Sequence, residues 1–97
     1  MSEGEQKIKI MLVDDDDFLV DMYSAKFANS GVDVVPVNSG ALLIEKLKKG
    51  ETADLILLDI VLPQMDGVET LEQIRKEQLG VGIPIIMLTN QNDENDI

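Results

Sequence analysis

Short apolar runs alternate with segments of helical periodicity along the chain. The strand-like runs occupy residues 7–13, 32–37, 53–60 and 83–89. Apolar residues recur at helical spacing in the segments 18–29, 38–50 and 66–80. This alternation predicts a doubly wound α/β fold, with a parallel sheet, right-handed crossovers and helices on both faces. Residues 1–6 are polar, and we expect them to form a disordered tail before a single domain over 7–97.

Individual residues predict which strand lies at a sheet edge and where two of the helices begin. Pro36 lies inside the second strand-like run, and proline cannot donate a backbone hydrogen bond, so this strand is expected at a sheet edge. Ser39 is a suitable N-cap for the second helix. Asp66 and Glu69 have the spacing of a capping box at the start of the third helix.

The core is predicted to be aliphatic, because aromatic residues make up only 3% of the chain. The run 53–60 is predominantly apolar, which is typical of a strand buried on both faces. Val68, Leu71 and Ile74 are expected to form the inner face of the third helix. Met11, Met22 and Met87 are expected to fill space in the core, as methionine commonly does.

Composition narrows the chemistry available to the 97 residues. The net charge is −11, and the chain has neither cysteine nor histidine. Disulfides, thiolate metal sites and imidazole bases are therefore excluded, which leaves carboxylate chemistry. An acidic domain does not suit direct contact with nucleic-acid backbones or anionic membranes. No apolar stretch approaches a membrane span or a signal region, so we expect a cytoplasmic location.

Carboxylates follow two of the predicted strands. The stretch IMLVDDDDFLV places Asp14 and Asp15 after the first strand, and Asp59 ends the third. Ligands of open parallel sheets bind beyond the carboxyl ends of the strands, so these side chains are expected to converge, with the Thr89 hydroxyl of the fourth strand beside them. Oxygen ligands of this kind suit Mg²⁺. A carboxylate such as Asp59 is also a competent nucleophile toward phosphorus.

Asp16 and Asp17 have a different interpretation, because they directly precede the first helix. Aspartate leads the ranking of N-cap residues and is favourable in the first turn. A solvated acidic turn is also an alternative for Asp14 and Asp15, although the second strand end at Asp59 argues against it.

Three motifs together resemble the receiver domain of bacterial response regulators. They are LVDDD after the first strand, LLDIVLPQMDG after the third and PIIMLT in the fourth. The resemblance implies that Asp59 is the phospho-acceptor and that Thr89 is the hydroxyl that contacts the phosphoryl group. It implies a Mg²⁺ site formed by Asp14, Asp15, Asp59 and the backbone carbonyl of Val61, and a loop shaped by Pro63 and Gly67.

The resemblance also implies a partner and a topology. The partner is a histidine kinase or a histidine phosphotransfer protein, and the phosphorylated domain relays the signal by conformational switching. The strand order would be 2-1-3-4, with the family's fifth strand and last helices falling beyond Ile97. Asn90 stands where the family usually has a small residue, and the lysine that ends the fifth strand has no counterpart here. An exposed fourth strand would favour self-association.

Two alternatives to a phospho-accepting switch stay open. A receiver without the lysine could act as an interaction or self-association module that is not phosphorylated. A phosphatase of the haloacid-dehalogenase type also begins with a strand ending D-x-D, which Asp14 and Asp16 satisfy. The phosphatase needs a downstream lysine and a second acidic pair, which this sequence does not supply, so a signalling domain is expected rather than an enzyme.

Overall fold

Four strands and three helices alternate along residues 7–88, the part of the chain that the computed structural model describes. In chain order these are β1 (Ile8–Val13), α1 (Asp17–Ala28), β2 (Val32–Val37), α2 (Gly40–Lys48), β3 (Leu55–Asp59), α3 (Gly67–Lys76) and β4 (Ile85–Leu88). All neighbouring strands are parallel, and their order is β2-β1-β3-β4. The predicted α/β topology is confirmed.

β1 lies at the centre of the sheet and β2 at one edge. Val13 pairs with Val37 of β2 on one side and with Leu58 of β3 on the other. Pro36 lies in β2 opposite Leu12. Because β2 has no second neighbour among residues 7–88, the edge position predicted from Pro36 is confirmed.

The main core lies between the sheet and the helices α2 and α3. Met11, Val13, Ile56 and Leu58 are completely buried on this side of the sheet. The other buried members of the cluster are Val37, Leu43, Ile44, Leu47, Leu62 and Ile74. Because side chains alternate between the faces of a strand, Val13 and Leu58 point into this core, and Asp14 and Asp59, which follow them, are directed away from it.

The opposite face of the sheet carries α1 and is less completely covered. Leu12 is buried, but Leu55 and Leu57 of β3 are only partly buried, so the prediction of burial on both faces is wrong for this side. Met22 is 42% exposed, which contradicts its predicted place in the core. The reason is that α1 has apolar residues around its whole circumference, and Val20 rather than Met22 is turned toward the sheet.

The inner face of α3 agrees with the prediction at Ile74, which is buried, and at Leu71, which packs partly buried against the core, but it differs at Val68. Val68 is 46% exposed, whereas Thr70 is completely buried and donates its hydroxyl to the Asp66 carbonyl at 2.8 Å. A Cβ atom added to Gly40 of α2 would meet the Thr70 side chain, with 3.2 Å to Thr70 Cβ. The close approach of α2 and α3 at Gly40 therefore rotates Thr70 inward and Val68 outward.

The predicted helix caps are present. The Ser39 hydroxyl accepts a hydrogen bond from the Leu42 N–H at 3.1 Å. Asp66 and Glu69 form the reciprocal capping box of α3, with distances of 2.9 and 3.2 Å. Within residues 7–88, no helix is long and apolar enough to cross a membrane.

Candidate functional site

Three carboxylates meet at the carboxyl end of the sheet. Asp14 and Asp15 follow β1, and Asp59 is the last residue of β3. One carboxylate oxygen from each of the three lies within 4.8 Å of the others. The convergence follows from the pairing of Val13 with Leu58, because parallel neighbours that end together present their next side chains at the same edge.

Backbone hydrogen bonds hold the two more buried carboxylates in place. Asp14 is 6% exposed, and its Oδ1 accepts a hydrogen bond from the Asp16 N–H at 2.9 Å. The Asp14 N–H donates to the Val37 carbonyl at 3.0 Å, which continues the sheet one residue beyond β1. Asp59 is 9% exposed, and its Oδ1 accepts from the Val61 N–H at 3.2 Å. Both carboxylates are thus oriented by the loop that follows their own strand.

Burial and mutual repulsion make the ionised pocket unfavourable. Burial raises the pKa of Asp59 above its ordinary value, and the charges of Asp14 and Asp15 raise it further, while the Val61 N–H acts in the opposite direction. Burial also raises the pKa of Asp14, against the lowering effect of the Asp16 N–H, and the charges of Asp15 and Asp16 add to the rise. A cation bound between the three carboxylates would offset both the cost of burying these charges and their mutual repulsion.

The remaining two aspartates belong to α1. Asp16 is the N-cap, and its Oδ1 accepts from the Phe18 and Leu19 N–H groups at 3.0 and 3.3 Å. Asp17 lies in the first turn of the helix and is exposed. The interpretation of these two residues as capping and first-turn residues is confirmed.

The pocket around the carboxylates is open to solvent and has a volume of about 380 Å³. Its lining residues are Asp14, Asp15, Asp16, Leu19, Asp59, Val61, Leu62 and Pro63. The chain has eight lysine and arginine residues, all within the described range 7–88, and none of them lines this pocket. Charge neutralisation at these carboxylates therefore depends on a group other than a basic side chain of residues 7–88.

The loop between β3 and α3 forms one wall of the pocket. The Met65 N–H donates to the Pro63 carbonyl at 2.8 Å, and Gln64 between them has a φ of 69°. This is a γ-turn centred on a non-glycine residue, a strained conformation. The Gly67 N–H donates to the Ile60 carbonyl at 2.8 Å, and a Cβ at Gly67 would collide with the backbone of Asp59 and Ile60. Glycine thus allows α3 to begin directly against the strand end that carries Asp59.

Sequence reasoning identified the acidic residues but not all of their surroundings. Leu19 and Leu62 line the pocket, and nothing in the sequence pattern distinguishes them from core residues. The γ-turn at Gln64 has no sequence signal either, because glutamine is not a residue that favours positive φ. Thr89 and Asn90 lie outside the described residues. The roles predicted for Thr89 and for the Val61 carbonyl stay predictions.

Comparison with known proteins decides the family. The sequence model described as "Response regulator receiver domain" matches residues 10–97. The chain belongs to the response regulator receiver domain family. The predicted resemblance is confirmed, and the strand order β2-β1-β3-β4 is the corresponding part of the flavodoxin-like fold.

Several relatives of this receiver domain are known. It is 41% identical over 90 residues to the alkaline phosphatase synthesis transcriptional regulatory protein PhoP of Bacillus subtilis, covering 91% of this chain and 35% of that protein. It is 38% identical over 88 residues to the transcriptional regulatory protein CpxR homolog of Haemophilus influenzae, covering 91% and 37%. The CheY-like receiver structure from Methanospirillum hungatei superimposes with a TM-score of 0.81 and 37% identity, over 90% of this chain and 68% of that one. The chain thus spans little more than a third of the length of these two curated relatives.

Proposed function

We propose that this receiver domain accepts a phosphoryl group on Asp59 from a phosphorylated histidine of a kinase or a phosphotransfer protein. The observation that carries the proposal is the convergence of three carboxylates within 4.8 Å in an open pocket. Membership of the receiver family supports it, because two-component receivers act as phospho-accepting switches. The chain has no histidine, so the phosphohistidine would have to come from another protein.

Asp59 has the position that a nucleophile needs. The Val61 N–H engages Oδ1, which leaves Oδ2 available to attack phosphorus. The new Oδ2–P bond forms as the N–P bond of the donor breaks, and the imidazole nitrogen of the donor takes up a proton. The product is an aspartyl phosphate. Most of the protein's contribution to such a transfer is positioning and charge neutralisation, and here the fixed end of β3 supplies the positioning.

The residues present fit a hard divalent cation. Asp14, Asp15 and Asp59 offer oxygen ligands, and Mg²⁺ typically binds one or two carboxylates, several waters and a phosphate. We propose that these three side chains and the Val61 carbonyl hold Mg²⁺. Such an ion would neutralise the negative charge that gathers as a phosphoryl group approaches. Since no basic side chain of residues 7–88 lines the pocket, the reaction should depend strongly on the ion.

A small phosphodonor tests the proposal without knowledge of the kinase. The chain is incubated with phosphoramidate and Mg²⁺, and its intact mass is measured. We expect a gain of one phosphoryl group, about 80 Da, that disappears in Asp59→Asn and when the ion is chelated. Asp17→Asn removes the same charge from an exposed position that does not line the pocket, and it should be phosphorylated normally.

The second candidate is a receiver that binds Mg²⁺ but is not phosphorylated and acts as an interaction module. The observation in its favour is that none of the eight basic residues lines the pocket. Saturable Mg²⁺ binding by a folded chain that gains no mass from phosphoramidate would contradict phospho-acceptance and support this alternative. Phosphorylation of Asp59 would exclude it.

A further inference from the structure

Asp16 lies between the carboxylate pocket and helix α1, and its polar groups form hydrogen bonds on both sides. Its N–H donates to Oδ1 of Asp14 at 2.9 Å. Its own Oδ1 accepts from the N–H groups of Phe18 and Leu19 at 3.0 and 3.3 Å. Its carbonyl accepts from the N–H of Val20, which is buried in α1, at 3.0 Å. One residue thus connects a buried carboxylate of the pocket to the first turn of a helix.

The Asp16 side chain lies outside the group of oxygens that could hold a cation. The carboxylate oxygens within 4.8 Å of one another belong to Asp14, Asp15 and Asp59. Asp16 lines the same pocket, but its Oδ1 is directed to two N–H groups of the helix. Beyond the effect of its charge, the Asp16 side chain would therefore influence a cation at these oxygens through a neighbouring residue.

Asp14 is the residue through which Asp16 would act. The Asp14 N–H donates to the Val37 carbonyl at 3.0 Å, so β2 holds the backbone of Asp14. The Asp14 carboxylate, in contrast, accepts from the Asp16 N–H. The direction of that N–H depends on the extended backbone at Asp16, with φ −94° and ψ 104°. This is the conformation of an N-cap residue, and the hydrogen bonds that the Asp16 side chain accepts from the helix favour it.

We propose that Asp16 is a positioning residue for the cation site, because its side-chain cap on α1 holds the N–H that orients the Asp14 carboxylate. The inference rests on the Mg²⁺ site proposed above. Groups that hydrogen-bond a metal ligand fix its orientation, and their loss typically weakens metal affinity by about 10- to 100-fold. Without the cap, the first turn of α1 no longer holds the backbone of Asp16, and binding of the ion must itself order the Asp14 carboxylate.

Mg²⁺ titrations of three neutral variants separate positioning from charge. Asp16→Asn, Asp16→Ser and Asp16→Ala each remove the same negative charge, but only the first two can still cap the helix. Amide NMR of the 97-residue chain gives the affinity from saturable shifts at Asp14, Asp15 and Asp59. All three variants should bind Mg²⁺ more weakly than wild type through the shared loss of charge. We expect Asp16→Ala to bind at least about tenfold more weakly than the other two.

Ser39→Ala is the matched control for a loss of stability. It removes the N-cap of α2, where the Ser39 hydroxyl accepts from the Leu42 N–H at 3.1 Å, so its effect on stability should be similar to that of Asp16→Ala. Ser39 does not line the carboxylate pocket, and Ser39→Ala should bind Mg²⁺ as wild type does. Equal Mg²⁺ affinities of the three Asp16 variants, or a comparable loss of affinity in Ser39→Ala, would overturn the proposal.

Hydrogen exchange without divalent cations tests the same connection independently of the ion. After correction for intrinsic rates, the Asp16 amide should be protected in wild type, Asp16→Asn and Ser39→Ala, and should exchange several times faster in Asp16→Ala. Equal protection in Asp16→Ala would overturn the proposal. A wild-type chain that has a protected Asp16 amide but no saturable Mg²⁺ binding would refute the cation site and this inference with it. Mg²⁺ binding by wild type with no difference among the three variants would refute the positioning role alone.

Discussion

Replacing Asp59 by asparagine should stabilise the fold in the absence of divalent cations. Asp59 faces Asp14 and Asp15, with carboxylate oxygens within 4.8 Å. At that separation two unit charges repel by about 3 kcal/mol at an effective dielectric constant of about 20, and by about 1 kcal/mol in bulk water. The pocket is open to solvent, and the new amide oxygen can still accept from the Val61 N–H. We therefore expect the free energy of unfolding at neutral pH to rise by about 1 to 3 kcal/mol.

Both pH and Mg²⁺ should change the size of this effect in a defined direction. Burial and the neighbouring charges raise the pKa of Asp59, so the folded state holds this proton more tightly than the unfolded chain does. The wild-type protein consequently loses stability as pH rises from the ordinary aspartate pKa through the raised one. Below that window Asp59 is protonated in both states, and the advantage of Asp59→Asn should vanish. Saturating Mg²⁺ should also reduce the advantage, because it binds the wild-type pocket more tightly.

Thermal and urea unfolding of wild type and Asp59→Asn, each with chelator and with Mg²⁺, measure the difference. For a domain of this size the expected gain corresponds to a rise in Tm of roughly 5 to 15 °C. Asp33→Asn removes one charge from an exposed position on β2 and should change stability by no more than about 0.5 kcal/mol. The electrostatic reasoning is refuted if Asp59→Asn is no more stable than wild type in chelator, or if Asp33→Asn is equally stabilised.

Three further predictions concern the loops beside the pocket. Asp16→Ala should lower stability by about 1 kcal/mol through loss of the α1 cap, while Asp16→Asn, which can still cap, should not; urea unfolding distinguishes them. Gln64→Gly should stabilise the chain by about 1 kcal/mol in the same assay by relieving the positive φ, and an unchanged or lower stability would contradict strain at this turn. Gly67→Ala should destabilise by about 2 kcal/mol or more and slow phosphorylation by phosphoramidate, because its Cβ would collide with the backbone at Asp59; normal stability with normal phosphorylation would refute this.

The elements that sequence reasoning placed correctly are those determined by local chemistry. Pro36 lacks the N–H that an interior strand needs, and Ser39 and Asp66 carry the short oxygen side chains that satisfy a helix N-terminus. Each of these signals depends on one residue and its neighbours along the chain. The strand ends at Asp14 and Asp59 could also be predicted from the sequence, because in each case a buried apolar run stops at an acidic residue.

The errors arose where a helix could turn more than one side toward the sheet. The pattern of α3 suited either Val68 or Thr70 on the inner face, and the close approach at Gly40 buries Thr70. In α1 the apolar residues encircle the helix, so spacing could not assign Met22 to the exposed side. The rotation of a helix about its axis is fixed by contacts between elements that are distant in the sequence. The periodicity of a single segment gives no information about those contacts.

The four consecutive aspartates have different surroundings because the backbone changes direction within them. Asp14 continues the inter-strand hydrogen bonding of β1 and is buried, whereas Asp15 is exposed at the mouth of the pocket. Asp16 turns the chain into α1, and its N–H fixes Asp14 while its carboxylate caps the helix. Asp17 lies in the first turn, where the helix N-terminus favours a negative charge. The N-terminus of the helix thus compensates the negative charges of Asp16 and Asp17. Asp14 and Asp15 lie beside Asp59, and no basic side chain of residues 7–88 lines their pocket. We therefore propose that a bound cation compensates the charges of these three carboxylates.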